Sequence, residues 1–308
     1  MKEIRRVALL MGGTSAEREV SLVSGEACLT ALCALGHEVC AFDPKEGSWI
    51  SALQAFAPTV VMNALHGTPG EDGTIQGVLE LLRIPYTHCG VLTSSLAMDK
   101  ALSKVLFRAA GVPTPSGQVL SWEALLLKDP FPRPFVLKPL REGSSLGVYM
   151  IEKETDLSAL RKKWSFGERL LTEEYIPGRE LTVCLLGEKA LCVTEIVSKG
   201  SFYDYDAKYV EGLSKHFVHV SLPGDVYQRA LDCAVRASQI LQCRGAARAD
   251  MRYNPQMPAP HDLYVLEINT QPGLTPTSLL PEQAHYAGIS FQDLIQWMLE
   301  QAQCDCDG

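Results

Sequence analysis

Residues 1–95 alternate short apolar runs with helical patterns, and this alternation constrains the fold more than any other feature of the sequence. Residues 7–11 and 59–62 are predicted to be buried strands, and residues 84–87 a further short strand. A helix is predicted before that last strand, on the apolar spacing of Ile75, Val78, Leu79 and Leu82. Strands that alternate with helices form a mostly parallel sheet with both faces covered. This part is therefore predicted to be an α/β domain.

A second unit is predicted at residues 96–178. It opens with a helix at about residues 99–110, whose predicted apolar face consists of Leu102, Val105, Leu106 and Ala109. After a linker at 112–115, residues 135–139 and 148–151 are predicted to be antiparallel strands around a Gly/Ser loop.

A third unit is predicted at residues 179–308, with a strand at 181–186 and a later strand pair joined by the proline-rich residues 254–261. It also contains two predicted amphipathic helices. Their apolar residues are Val226, Ala230, Cys233, Ala234, Ala237 and Ile240 in one, and Phe291, Leu294, Ile295, Met298 and Leu299 in the other.

Composition excludes several classes of protein. The net charge of -8 argues against an extended nucleic-acid surface, which needs a basic face. The N-terminus has too few consecutive apolar residues for a signal peptide (~7–15) or a membrane span (~20), so a cytoplasmic protein is expected. The ten cysteines are scattered without a C-x-x-C, and Cys304 with Cys306 is a weak metal signal, so reduced thiols are expected.

The last predicted strand pair offers a metal site. Arg248 and Asp250 are two residues apart and leave the same face of one strand, and Glu267 and Asn269 do the same on the other. Three oxygen ligands without Cys or His suit Mg²⁺ or Mn²⁺. The alternative is a solvated sheet face with a surface ion pair.

Two further stretches suit a nucleotide. Lys138 ends a strand before the turn 142–147, whose backbone N–H groups could cover phosphates, although an ordinary hairpin turn has the same pattern. The lysine precedes the glycines, so this is not a Walker loop. Glu173, Glu174 and Glu180 flank a crossover that could hold an adenine and a ribose, unless they are only solvated.

Three more features border the predicted site. His66 follows a predicted parallel strand, at the end where open α/β sheets bind ligands, although a lone histidine is more often structural. The aromatic stretch with Tyr203, Tyr205, Lys208 and Tyr209 is either an active-site lid or a packed Ω-loop. The opening GGTSAEREVS resembles a phosphate-binding turn, yet it contains the acid Glu17.

Seven stretches, taken together, resemble the D-alanine–D-alanine ligases of the ATP-grasp superfamily over about residues 4–300. They are GGTSAEREVS, LHGTPGEDGTIQG, MDK, KPLREGSSLGV, FYDYDAKY, RAD and EINTQPGLT. The resemblance implies an α/β protein, α+β in its C-terminal parts, with three domains and the nucleotide between two α+β domains. It implies that ATP phosphorylates the carboxylate of one D-alanine and that the amine of a second attacks the acyl phosphate, for peptidoglycan synthesis. Two Mg²⁺ or Mn²⁺ ions and a homodimer are expected from it, and a K⁺ requirement is left open.

The resemblance also implies roles for individual residues. The ATP site would comprise Lys100, Lys138, Glu142, Gly143, Ser144, Ser145, Glu173, Glu174, Tyr175, Ile176, Glu180, Phe202 and Lys208. The metal ligands would be Asp250, Glu267 and Asn269, and the substrate contacts Glu17, His66, Lys208, Ser278 and Leu279. Arg248 and the N–H of Gly273 would stabilise the oxyanion, and a hydrogen-bonded triad would consist of Glu17, Ser144 and Tyr209.

The same resemblance implies a role for the acid in the opening turn GGTSAEREVS. The carboxylate of Glu17 suits the ammonium group of the first D-alanine. The chain departs from the family pattern at Leu140, Ala247 and Gln271, none of which removes a charged or metal-binding group. The rival functions are a sister ligase using D-lactate or D-serine, a nicotinamide oxidoreductase and a non-catalytic binding module. Tyr209 in an intact lid motif favours the dipeptide, and the oxidoreductase lacks G-x-G-x-x-G.

Overall fold

A computed structural model of the chain describes residues 4–198 and 214–305. The N-terminal sheet has the parallel order β2-β1-β3, which confirms the predicted α/β arrangement. Its elements are β1 (Arg6–Leu10), α1 (Arg18–Ala34), β2 (Glu38–Phe42), α2 (Trp49–Phe56), β3 (Val60–Asn63), α3 (Thr74–Leu82) and α4 (Val91–Met98). The predicted strand at 84–87 is wrong: only Tyr86 forms isolated bridges, to Val61 and Gln303. Pro85 has no N–H to extend a ladder.

The second sheet has four antiparallel strands in the order β4-β7-β5-β6. Its elements, with the helices around them, are α5 (Lys100–Ala109), β4 (Gly117–Ser121), α6 (Trp122–Leu127), β5 (Phe135–Pro139), β6 (Tyr149–Ile151), α7 (Leu157–Lys163) and β7 (Arg169–Glu174). The predicted antiparallel pair around the Gly/Ser loop is therefore confirmed, as β5 and β6.

The third sheet has five antiparallel strands in the order β10-β9-β8-β11-β12. Its elements are β8 (Arg179–Leu186), β9 (Lys189–Ser198), β10 (Ser214–Val218), α8 (Val226–Ile240), β11 (Ala246–Tyr253) and β12 (Leu263–Asn269). Two helices follow, α9 (Leu279–Tyr286) and α10 (Phe291–Glu300). The predicted pairing of the last two strands is confirmed.

The last helix packs against the first sheet. Leu294 and Met298 of α10 lie in one buried cluster with Leu9 of β1 and Met62 of β3. The boundaries predicted at 95/96 and 178/179 stay a prediction. No helix within residues 4–198 and 214–305 is both long and apolar enough to cross a membrane.

The predicted apolar face of α5 is wrong. Leu102 and Val105 are 48% and 54% exposed, whereas Lys104 and Phe107 are buried. The helix turns a lysine inward because Glu173 of β7 lies against its ammonium. A smaller correction applies to α8, where Ile240 is exposed and Leu241, which ends the helix, fills the core instead.

Candidate active site

Two adjoining cavities hold all the predicted site residues that the structure describes. The first lies between the N-terminal sheet and the third sheet. Predicted residues on its wall are Glu17, His66, Lys100, Glu142, Gly143, Ser144, Arg248, Glu267, Asn269, Gly273, Ser278 and Leu279. Carboxylates, cations and hydroxyl groups thus face one another there, as binding of a small zwitterion requires.

The second cavity lies between the two antiparallel sheets. Predicted residues on its wall are Lys100, Lys138, Glu142, Ser145, Glu173, Glu174, Tyr175, Ile176, Glu180, Asp250 and Glu267. Its mixture of apolar and charged groups suits a nucleotide. Arg252, which the sequence analysis did not identify, also borders it and contacts the Glu180 carboxylate at 3.3 Å.

Three residues line both cavities and form their common wall: Lys100, Glu142 and Glu267. The Lys100 ammonium donates a hydrogen bond to the backbone carbonyl of Glu142 at 2.5 Å and lies 3.6 Å from Glu267 Oε2. Burial raises the pKa of the Glu142 carboxyl, against the attraction of Lys100. A group passed from one cavity to the other would therefore meet this lysine.

The opening glycine turn is closed by contacts within the protein. The N–H of Gly12 donates to Ser21 Oγ and that of Gly13 to Asp43 Oδ1, both at 2.8 Å. Arg18 pairs with Asp43 at 2.7 Å and holds that carboxylate in place. Because these two amides already have acceptors, the turn offers no ready phosphate cradle.

Glu17 directly precedes α1 and is buried at the wall of the first cavity. Ser144 Oγ of the glycine loop donates a hydrogen bond to Glu17 Oε1. Ser144 and Ser145 both have left-handed backbones, with φ of 47° and 59°. Strain of this kind, roughly 1–3 kcal/mol per residue, is common where a loop presents its backbone to a ligand. The contact joins the N-terminal unit to the loop between β5 and β6.

His66 is held from both sides of its ring. Nε2 lies 3.0 Å from Ser24 Oγ, and Nδ1 lies 3.3 Å from Glu71 Oε1. The residue is buried at the wall of the first cavity, just after β3. Ser24 and Glu71 therefore fix the ring plane of a residue expected to contact substrate, and neither was identified from the sequence.

The predicted metal ligands lie on the paired strands β11 and β12. Asp250 is the cross-strand partner of Glu267, and Arg248 that of Asn269. Arg248 donates to both carboxylate oxygens of Asp250, at 2.9 and 2.8 Å. Within residues 4–198 and 214–305 no group of three or more His, Cys, Asp and Glu side chains is arranged to hold a metal. The predicted set has only two acids plus an amide, an all-oxygen set that fits a hard cation.

Glu173 lies between two lysines rather than in the open cavity. Its Oε1 is 2.5 Å from Lys104 Nζ and its Oε2 is 2.6 Å from Lys138 Nζ. Burial alone would raise the pKa of this carboxyl, but the two ammonium groups outweigh it and the pKa is lowered. The sequence analysis missed Lys104, although its place four residues after Lys100 puts both lysines on one helix face.

The loop after β12 brings the backbone close to a hydroxyl group. A Cβ atom at Gly273 would lie only 2.7 Å from Ser278 Oγ, so a larger residue there would displace this hydroxyl group. Gln271 is buried, accepts a hydrogen bond from Asn63 Nδ2 at 2.9 Å and donates one to the carbonyl of Leu65. It thus ties this loop to the strand end that precedes His66.

Five predicted residues of the aromatic segment lie outside the described residues: Phe202, Tyr203, Tyr205, Lys208 and Tyr209. Their roles stay predictions.

Two antiparallel sheets around a cleft, beside a small parallel-sheet unit, are the arrangement of the ATP-grasp class of ligases. Two family descriptions match the chain: "D-ala D-ala ligase N-terminus" at residues 51–89 and "D-ala D-ala ligase C-terminus" at residues 120–300. The chain belongs to the D-alanine–D-alanine ligase family.

Individual relatives cover nearly the whole chain. It is 51% identical over 304 residues to the D-alanine–D-alanine ligase of Granulibacter bethesdensis, covering 98% of this chain and 99% of that protein. It is 49% identical to the corresponding ligase of Paramagnetospirillum magneticum, with 98% and 99% covered. A crystal structure of the Bacillus anthracis ligase complexed with ATP superposes with a TM-score of 0.80 at 32% identity, covering 97% of each chain.

Proposed function

We propose that the protein joins two D-alanine molecules with ATP, through a D-alanyl phosphate, and releases D-alanyl-D-alanine, ADP and phosphate. The dipeptide would enter peptidoglycan synthesis in the cytoplasm. The observation that carries the proposal is the common wall of the two cavities, where Lys100 lies between the cavity that separates the two antiparallel sheets and the cavity lined with opposite charges. Such a pair of sites can bring a terminal phosphate to a carboxylate.

In the first step, a carboxylate oxygen of the first D-alanine attacks the terminal phosphorus of ATP. A new P–O bond forms and the bond to the ADP oxygen breaks. Glu17 on the wall suits the ammonium group of this D-alanine, and His66, held by Ser24 and Glu71, suits its carboxylate. Lys100 and Lys138 would meet the phosphate charge, so that positioning and electrostatics supply most of the acceleration.

In the second step, the neutral amine of the second D-alanine attacks the acyl carbon. The tetrahedral oxyanion collapses, the bond to phosphate breaks, and the amine loses its proton. Asp250 fixes the plane of the Arg248 guanidinium through two hydrogen bonds, so that this cation would meet the oxyanion without reorganising. The Gly273 N–H would be the second donor to the oxyanion. Ser278 and Leu279 would border the second substrate, together with Lys208.

Asp250, Glu267 and Asn269 would hold the two Mg²⁺ or Mn²⁺ ions, which when bound neutralise charge on the phosphates. The donor set fits, because its two carboxylates lie opposite each other on neighbouring strands beside Arg248 and Lys100. A cation there would share the carboxylate oxygens with these two side chains. A homodimer and a K⁺ requirement are further expectations from the family.

The decisive experiment measures ADP release with D-alanine, D-serine, D-lactate and L-alanine as separate substrates, each with ATP and Mg²⁺. We expect D-alanine alone to support rapid release at neutral pH, with D-alanyl-D-alanine as the product. Each other acceptor is then tested in a mixture with D-alanine, and mixed products identify a sister ligase. Preferential turnover of D-lactate or D-serine would overturn the dipeptide assignment, and no release with any of them would overturn the ligase activity.

A further inference from the structure

Lys104 is an ammonium group that the proposed chemistry leaves unused. The residue is 1% exposed, and its Nζ lies 2.5 Å from Glu173 Oε1 and 2.8 Å from Thr114 Oγ1. Within the described part of the chain it lines neither cavity. A buried lysine destabilises a protein unless it is paired, and an apolar side chain would fill the same space without that cost.

The contacts of Glu173 suggest what Lys104 does. One carboxylate oxygen of Glu173 faces Lys104 and the other faces Lys138, at 2.5 and 2.6 Å. Lys138 borders the second cavity, whereas Lys104 lies behind Glu173. If Glu173 had Lys138 as its only cation, the pair would be neutral. Two ammonium groups and one carboxylate instead give the buried cluster one net positive charge.

We infer that Lys104 is a positioning residue for nucleotide binding: it holds Glu173 from behind, so that Lys138 keeps its charge directed at the anionic end of the nucleotide. The other charged group near Lys104 is Glu267 of β12, which attracts it from the side of the common wall. The inference rests on the proposed function for the identity of the nucleotide, but it concerns binding and needs no turnover.

The test compares the affinities for ADP and for adenosine, each with excess Mg²⁺ at neutral pH, in the unaltered protein and in Lys104→Met. Loss of one buried charge-assisted interaction is expected to weaken ADP binding roughly tenfold or more. Adenosine carries no phosphate but would lie near Glu173, so its dissociation constant is expected to rise by a clearly smaller factor than that of ADP. A purely structural role would weaken both ligands alike.

Two further variants separate this effect from misfolding. Phe107→Leu disturbs the same buried face of α5 without removing a charge, and it should leave the ratio of the two affinities unchanged. Lys104→Arg keeps the charge and should recover at least part of the ADP affinity. Unchanged ADP binding in Lys104→Met, equal weakening of both ligands, or no recovery in an Arg variant that melts normally would overturn the inference.

The result does not depend on the substrate of the ligase. If D-alanine fails to drive ADP release, the proposed function fails while the binding comparison can still succeed. If D-alanine drives ADP release but the ADP affinity is unchanged in Lys104→Met, only the proposed role of this lysine fails.

Discussion

Glu173→Gln would test the buried charge cluster through stability. The substitution removes the carboxylate that lies between Lys104 and Lys138. Breaking a buried ion pair costs about 3–5 kcal/mol when the remaining charge stays buried. Lys104 can avoid this cost by losing its proton, because burial lowers its pKa to about 8 against the attraction of Glu173.

The pKa sets the size of the effect. Near pH 7 the Lys104 proton is held by about one pH unit, so the part of the penalty that comes from Lys104 cannot exceed roughly 1 kcal/mol. This limit is larger near pH 6 and close to zero near pH 8. The sign follows from proton linkage. Between these pH values the unaltered native state keeps the Lys104 proton and both unfolded chains remain protonated, whereas the native variant, without Glu173 to hold the proton, binds fewer protons.

The penalty of Glu173→Gln should therefore shrink as the pH rises from about 6 to 8, by at most about 1.4 kcal/mol per pH unit. The assay is guanidinium unfolding at three pH values, followed by the fluorescence of Trp122 and Trp164, which lie in the same unit as Glu173.

Glu174→Gln is the matched control, because Glu174 is the next residue of β7 and its side chain is exposed. Its penalty should be close to zero at every pH. A penalty for Glu173→Gln that is independent of pH, or larger near pH 8 than near pH 6, would show that Lys104 does not lose its proton in the variant.

Two further predictions concern the proposed site. Asp250→Asn should lower Mg²⁺-supported ADP release by at least roughly 100-fold, because it removes a charged metal ligand and the partner of Arg248. Release within threefold of the unaltered rate would contradict the metal assignment. Gln271→Leu should destabilise the protein by about 1–3 kcal/mol in thermal unfolding and raise the KM for D-alanine, because it leaves the Leu65 carbonyl without its amide donor. An unchanged melting temperature would show that this buried amide does not hold the loop.

The paired strands show how much of the site the sequence could predict. Side chains two residues apart on a strand share a face, so Arg248 could be grouped with Asp250, and Glu267 with Asn269. The expected hairpin then brought the two groups together, and the observed register sets Asp250 directly opposite Glu267. The pattern was sufficient because each spacing is local and the two strands are consecutive in the chain, joined by residues 254–262.

Helix α5 shows a feature that the sequence could not predict, namely which of its faces is buried. Its apolar residues Leu102 and Val105 are exposed, because the inward positions are taken by Lys104 and by Phe107. A lysine is stable there only because Glu173, far along the chain, lies against it. No local sequence pattern on the helix indicates that contact, so the periodicity predicted the helix correctly but assigned the wrong face to the core.

The opening glycine turn is a second feature for which the local sequence pattern was not sufficient. A strand, two glycines and a helix N-terminus supply backbone N–H groups that can bind a phosphate. They can do so only where these groups do not already donate to an acceptor within the protein. Here Ser21, inside the following helix, and Asp43, beyond the next strand, accept from Gly12 and Gly13. The turn is thereby fixed, and what it presents to the first cavity is the carboxylate of Glu17. A negative group on a fixed turn attracts a cation, so the turn agrees with the proposed placement of the substrate ammonium at Glu17 and of the phosphates beyond the common wall.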